Sequence, residues 1–476
     1  MNRGDTITLT VERYGAEGNS VARVDGFVVF VRGGIPGDTV TVRLTRVRRN
    51  FADAEILSVE TPSTLRIQPR CSFFGVCGGC TWQHLSYEAQ CAFKRQQVVD
   101  ALGHIGGFAE IPVHPTIGSA RVYNYRNKME FSFGVRWLTR EELLRNGAEA
   151  GPAAETERFA LGLHIPRRFD RVLDITECHL PSPASPAILN AVRTFCTERQ
   201  LSIYSTVTHT GYLRNLVIRE TGTGERMVNL VTSEERPALM DEFAGMLLSR
   251  FPETTTIVNN ITTRKSQVAL GDREVVVHGP GWITDRIGTR IYRISANSFF
   301  QTNTLQAERL YDVVRRYAAI QRHETVYDLY SGTGTIALHV ADDAAAVIGI
   351  ESVASAVDDA RRNAEANGVR NCRFVLGDLK DRLTAGHASL GGEEQPQVVL
   401  CDPPRAGMHP DVVETVRNIH PSRIVYVSCN PASQARDLKM LCENGDYRLI
   451  ETQPVDMFPH TTHVENVALL LSGRAS

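Results

Sequence analysis

Between Tyr292 and the carboxyl-terminal region, five continuous apolar runs are separated by helical segments, and this constrains the fold more than any other feature of the chain. The runs are Val326-Tyr-Asp-Leu-Tyr, Val347-Ile-Gly-Ile, Cys372-Arg-Phe-Val-Leu, Gln397-Val-Val-Leu-Cys and Arg423-Ile-Val-Tyr-Val. A strand apolar on every residue must be covered on both faces, as in a parallel sheet flanked by helices. Residues 288–476 are therefore expected to form a doubly wound α/β domain. Ser352 is read as the cap of the helix after the second run, Val353, Ala356, Val357, Ala360 and Ala364 as its buried stripe, and Asn367-Gly368 as its end.

The remainder of the chain has a different pattern. Residues 1–62 alternate short β-rich runs with Gly33-Gly34 and Pro36-Gly37 turns, which predicts a small antiparallel, OB-like barrel. Arg43, Arg46, Arg48 and Arg49 cluster on and just after its third strand, a pattern that suits single-stranded nucleic acid or a solvated face equally. Residues 63–287 read as an α+β central domain that opens on a helix from Ser86 to Gly103. Within it, Tyr123-Asn-Tyr-Arg-Asn-Lys interleaves aromatics with cations, as base stacking requires, although an amphipathic strand would look the same. Trp137 to Arg158 is expected to be a surface insertion without chemistry.

Lys and Arg number 52 against 54 Asp and Glu, so an RNA surface must arise from local clustering rather than bulk charge. No stretch approaches the roughly 20 apolar residues of a membrane-spanning helix, and no apolar leader follows Met1, so a cytoplasmic protein is expected. In a reducing compartment the crowded Cys71, Cys77 and Cys80 suggest metal or cluster ligation more than disulfides. Three ligands leave a four-coordinate site one short.

Chemistry gathers at the carboxyl ends of the apolar runs. Asp328-Leu-Tyr-Ser-Gly-Thr-Gly-Thr followed by Glu351 offers close backbone approach and a ribose acceptor. It lacks the third glycine of a dinucleotide fingerprint, which favours S-adenosylmethionine. The fourth run ends in Asp402-Pro-Pro-Arg-Ala-Gly and the fifth in Ser428-Cys-Asn-Pro. An Asp-Pro-Pro loop alone suits methylation of an exocyclic base nitrogen. The added Cys429 changes this, because a thiolate adding to C6 of a pyrimidine makes C5 nucleophilic. Glu465, in Asp456-Met-Phe-Pro-His-Thr-Thr-His-Val-Glu, is the natural base for the C5 proton, with His460 and His463 as competitors.

These three motifs, in this order, resemble the RNA uracil-5-methyltransferase family, and the amino-terminal barrel resembles the TRAM domain of its rRNA branch. The resemblance implies a class I S-adenosylmethionine-dependent fold, Cys429 as nucleophile and Glu465 as base. It implies cofactor contacts from Gln301, Tyr330, Glu351 and Asp402, with Asp378 a weaker one. Two positions depart from the family: Tyr330-Ser-Gly replaces an aromatic followed by Cys-Gly, and Val464 replaces a larger residue. The rRNA branch also implies Cys178 as fourth ligand, with Cys71, Cys77 and Cys80, of a [4Fe-4S] cluster, zinc being the alternative. The RNA partner expected is 23S rRNA, with tRNA the alternative; neither a membrane nor an obligate protein partner is expected. A non-catalytic iron-sulfur RNA-binding protein is the rival from another class.

Overall fold

The computed structural model describes residues 1–15, 18–136, 159–165, 168–265, 269–384 and 395–473. The segment from Trp137 to Arg158, expected to be an insertion, lies outside the described residues, as does the stretch 385–394.

The carboxyl-terminal region is a seven-stranded sheet. Its order is Cys372–Leu376, Ala346–Glu351, Thr325–Leu329, Val398–Cys401, Arg423–Ser428, Glu465–Ser472, Tyr447–Val455. The first five strands are parallel, and Glu465–Ser472 enters antiparallel between the fifth and Tyr447–Val455. Both faces are covered. Val326 packs with Leu310, Tyr311 and Val314 of helix Thr304–Ala318 on one side, whereas Tyr327 and Leu329 belong to the core on the other. That second core holds Val412, Val413 and Val416 of helix Pro410–Ile419 and Leu438 of helix Pro431–Cys442. This double burial is why the strands read as unbroken apolar runs.

Helix Ala354–Ala366 departs from its expected ends. Val353 stands at the cap position and is exposed, and Ala356 is only half-buried. Ser352 does not cap; the Glu351 carboxylate instead accepts the N–H groups of Ser352 and Val353, each at 2.8 Å.

The amino-terminal sheet has the order Thr6–Thr10, Thr39–Val47, Phe51–Thr61, Phe27–Arg32, Ser20–Val24, Arg13–Tyr14. Val40, Val42 and Leu44 alternate inward along one strand, with period two. The expected all-antiparallel pairing fails at one seam. The hairpin of Thr39–Val47 and Phe51–Thr61 folds the latter back beside Phe27–Arg32, and these two run parallel.

Between these regions lies a second seven-stranded sheet, ordered Arg273–His278, Thr256–Ile261, Arg226–Thr232, Leu213–Glu220, Lys128–Val135, Phe159–Ile165, Arg168–Asp174. Helices Ala184–Glu198 and Pro237–Arg250 share its core through Phe131, Phe195 and Phe243. The preceding helix Tyr87–Ala101 does not stop at Gly103. It continues as a wider turn over Leu102–Gly106 and ends at Gly107, whose φ of +77° suits a glycine cap. A Cβ on Gly106 would lie 3.3 Å from the Ala435 carbonyl, so the small residue allows this end to pack closely on helix Pro431–Cys442. Among the described residues, no helix is long and apolar enough to cross a membrane.

Candidate active site

The loop after strand Thr325–Leu329 is shaped by left-handed backbone at Tyr330, Gly332 and Gly334, with φ of +64°, +53° and +79°. A Cβ on Gly334 would come within 2.7 Å of the Phe374 ring, so that glycine is needed for packing. A Cβ on Gly332 would meet nothing within 4 Å, which leaves open space beside the backbone where a ligand can approach. Glu351 is held firmly: it accepts the Gly332 N–H at 3.0 Å with one oxygen and the two helix-start N–H groups with the other.

Tyr330, Glu351 and Asp378 line a cavity of about 280 Å³ together with Leu379, Lys380 and His409. Apolar Ile350, Leu379 and Val412 offer it flat contact, and Glu351 an acceptor for hydroxyls. This combination fits the adenosine part of S-adenosylmethionine. Asp328 lies buried beneath the loop, with one oxygen accepting the Ala337 N–H at 3.1 Å and the other unpartnered. Burial, and then the nearby Asp402, push its carboxyl up to about 8. Gln301 and Asp402 do not line that cavity. The Gln301 segment nevertheless reaches the glycine loop, since the Thr333 hydroxyl donates to the Phe299 carbonyl at 3.5 Å.

Cys429 sits in the turn between strand Arg423–Ser428 and helix Pro431–Cys442, half-buried. The turn is fixed on both sides. The Ser428 hydroxyl accepts the Asn430 N–H at 3.1 Å, and the Asn430 carbonyl oxygen of the side chain caps the Ala432 N–H at 3.1 Å. The Asn430 amide and the Ser433 hydroxyl both donate to the Arg405 carbonyl at 3.1 Å, which ties the Asp402-Pro-Pro-Arg405 loop to the cysteine turn. Buried Asp437 adds a second tie by accepting from the Met408 N–H at 2.8 Å and the Tyr426 hydroxyl at 2.6 Å.

Electrostatics couple Cys429, Glu465 and Asp402. Burial pushes the Cys429 thiol up to about 11, and Glu465 and then Asp402 add to the shift while Arg405 opposes it. Glu465 is buried and pushed up to about 8, by burial first and by Asp402 second. Burial alone takes Asp402 to about 7. The resting site therefore holds its thiol neutral, with two carboxyls poised near physiological pH.

Glu465 pairs in register with Val455, so Asp456–Val464 is the connection between the last two strands. His460 is occupied elsewhere in this connection. Its Nδ1 lies 3.3 Å from the Gln90 amide, its ring stacks on Tyr123 with centroids 4.4 Å apart, and burial pushes it down to about 4. His463 is exposed and lines the cavity of the crowded cysteines. Tyr125, read as a possible stacking residue, is buried and donates to the Pro459 carbonyl at 3.1 Å. The Tyr123-x-Tyr125 pair thus supports the connection from within. Sequence reasoning missed Lys94, Gln90 and Asn303, which also grip it. Gln90, Lys94 and Val98 stand four apart on one helix face, which was the available signal.

Cys71, Cys77, Cys80 and Cys178 line one cavity of about 380 Å³. Burial pushes the Cys80 thiol up to about 12, with Cys178, Cys77 and Cys71 each contributing, so the four thiols are electrostatic neighbours. The Gln83 amide donates to the Cys80 sulfur at 3.3 Å. Among the described residues, no group of three or more His, Cys, Asp or Glu stands in metal-holding geometry. The donor set, four thiols around one cavity, is of the type that takes iron-sulfur or zinc.

Residues 258–473 match the model of the tRNA (uracil-5-)-methyltransferase family, and residues 1–57 match the TRAM domain. An uncharacterized RNA methyltransferase of Porphyromonas gingivalis is 45% identical over 460 residues, covering 96% of this chain and 98% of its own. Another, of Chlorobaculum tepidum, is 44% identical, covering 98% of this chain and 96% of its own. The chain belongs to the RNA (uracil-5-)-methyltransferase family. A solved member of similar structure is the tRNA (uracil-54, C5)-methyltransferase of Pyrococcus abyssi in complex with S-adenosyl-L-homocysteine. It is 30% identical with a TM-score of 0.73, covering 98% of this chain and 100% of its own. The chain is thus an S-adenosylmethionine-dependent RNA (uracil-5-)-methyltransferase with a class I fold and an amino-terminal TRAM domain. The readings as an exocyclic-amine methyltransferase or a non-catalytic RNA-binding protein give way to it.

Proposed function

We propose that the enzyme methylates C5 of a uridine in 23S rRNA through a covalent adduct on Cys429. The observation that carries the mechanism is the grouping of Cys429, Glu465 and Asp402 at the carboxyl edge of the sheet, where Glu465 and Asp402 both raise the Cys429 thiol and Asp402 also raises Glu465. Glu351, Tyr330 and Asp378 hold the nucleoside of S-adenosylmethionine, which supplies a methyl group on positively charged sulfur and leaves as a neutral thioether. Cys429 loses its proton to water and adds through sulfur to C6; the C5–C6 π pair moves onto C5, which takes the methyl group. Glu465, as carboxylate, removes the C5 proton. That electron pair restores the double bond as the C6–S bond breaks and frees the thiolate. A base pushed up to about 8 is better matched to a carbon acid than an ordinary glutamate.

The TRAM domain together with the four cysteines supports rRNA, since this combination goes with the rRNA branch. The likeness to a tRNA methyltransferase over the full length of that protein supports tRNA as the second reading. The test is to incubate anaerobically purified enzyme with unmodified 23S rRNA and, separately, tRNA, then map the methylated nucleotide by mass spectrometry. 5-Methyluridine in rRNA is expected; the product in tRNA alone would overturn the substrate. Cys429→Ala is expected to abolish turnover, and Glu465→Gln to stall an enzyme–RNA adduct visible on a denaturing gel. An active Cys429→Ala enzyme would overturn the mechanism.

Cys71, Cys77, Cys80 and Cys178 are proposed to hold a [4Fe-4S] cluster that shapes the region rather than reacting. Iron and sulfide analysis of anaerobic protein tests this, with about four of each per chain expected. Stoichiometric zinc without sulfide would replace the cluster by the alternative.

A further inference from the structure

Lys94 is a lysine with no exposed side-chain surface, and so is the side chain of its partner Asp456. Its Nζ donates to Asp456 Oδ1 at 2.5 Å and to the Phe458 carbonyl at 3.0 Å. The Tyr87 hydroxyl donates to the other Asp456 oxygen at 3.0 Å, and the Phe458 N–H returns to the first at 3.0 Å. Both Asp456 oxygens and the Lys94 nitrogen are therefore hydrogen-bonded. A buried ion pair seldom stabilises a fold more than apolar packing of the same volume would, so its presence calls for another reason. Its position supplies one.

Asp456 directly follows Val455, and Val455 stands opposite Glu465 in the sheet register. The anchor thus lies at the root of the connection whose far end presents the base. Opposite Lys94, the His460 carbonyl accepts the N–H groups of Thr81 and Trp82, each at 2.9 Å, and the Asn303 amide donates to the Met457 carbonyl at 3.1 Å. Helix Tyr87–Ala101 thus supplies, in Lys94, a charge at this connection's start, held in a fixed geometry.

We propose that Lys94 is a positioning residue for proton abstraction: through Asp456 and the Phe458 carbonyl it sets where the Glu465 carboxylate meets the C5 proton. The proposal rests on the adduct mechanism above. It assigns Lys94 no contact with RNA or cofactor, so its loss should slow the step that needs Glu465 and spare the earlier ones.

The test compares wild type, Glu465→Gln, Lys94→Met/Asp456→Asn and Tyr87→Phe on whichever RNA, 23S rRNA or tRNA, the product mapping above identifies. The double variant removes both buried charges, which avoids leaving one unpaired. Its kcat is expected to fall by about tenfold to a hundredfold, a misplacement effect. KM for S-adenosylmethionine should stay within about twofold, and a covalent enzyme–RNA adduct should accumulate as in Glu465→Gln. Tyr87→Phe, which removes one donor to Asp456, should show a smaller loss with the same adduct, and it keeps the test decisive if the double variant does not fold. Normal kcat in the folded double variant, or in Tyr87→Phe should the double variant not fold, would overturn the proposal. So would a loss without adduct while Glu465→Gln traps one. Absence of adduct in Glu465→Gln itself would overturn the underlying mechanism, and the proposal with it.

Discussion

At the scale of single residues, the site holds acidic groups in a form the unfolded chain would not keep. Glu465 is raised from an ordinary 4.5 to about 8. Its neutral burial is therefore fully favourable below about pH 4.5, and that contribution is lost as pH rises towards about 8. Glutamine, which never ionises, escapes the loss. Glu465→Gln is expected to match wild type in stability near pH 4.5 and to exceed it at pH 8, by up to roughly 4 kcal/mol at about 1.4 kcal/mol per unit. Denaturant unfolding at the two pH values checks this, and equal stability at both would mean that Glu465 is not held neutral. Residues of this kind were partly legible in the sequence. Cys429 and Glu465 could be found because each borders an apolar strand whose end is fixed by the run itself. For Lys94 the four-apart spacing with Gln90 and Val98 was the one signal, and it did not reveal the burial, since a helical lysine reads as solvated until its partner, 362 residues away, is known.

At the scale of elements, the short polar caps do more than end helices. Asn430 caps helix Pro431–Cys442 and at the same time holds the Arg405 carbonyl. Asn430→Ala is expected to cost about 1 kcal/mol of stability for the lost cap. It should also loosen the Asp402 loop, so that activity falls further than the stability change alone accounts for; thermal unfolding beside steady-state kinetics separates the two. Periodicity predicted the parallel strands because both their faces are buried. It misplaced the end of helix Tyr87–Ala101, because Gly103 looks like a stop and the contact that carries the helix on to Gly107, with Ala435, is distant in sequence. Ser352 misled for the opposite reason: a local capping residue lost its role to the adjacent Glu351 carboxylate.

At the scale of the whole molecule, the connection Asp456–Val464 is touched from both the amino-terminal and the central regions, through Gly18 and Tyr125. The amino-terminal sheet reaches it through Gly18, at φ +76°, where a Cβ would fall 2.2 Å from the Thr462 methyl. Gly18→Ala is expected to destabilise the chain by roughly 1–3 kcal/mol, from strain and overlap together. Combining it with Thr462→Ser should recover part of that loss, and denaturant unfolding of the single and double variants measures the recovery. No sequence pattern announces such a contact, for it depends on how separate regions dock. The same arrangement of strands governs how the molecule is made. Glu465–Ser472 is translated after every strand it pairs with, yet it sits inside the sheet, between Arg423–Ser428 and Tyr447–Val455. A growing chain that has not reached it lacks both the strand that joins Arg423–Ser428 to Tyr447–Val455 and the proposed base Glu465, so the chemistry proposed for Glu465 must wait until this inner strand has been made.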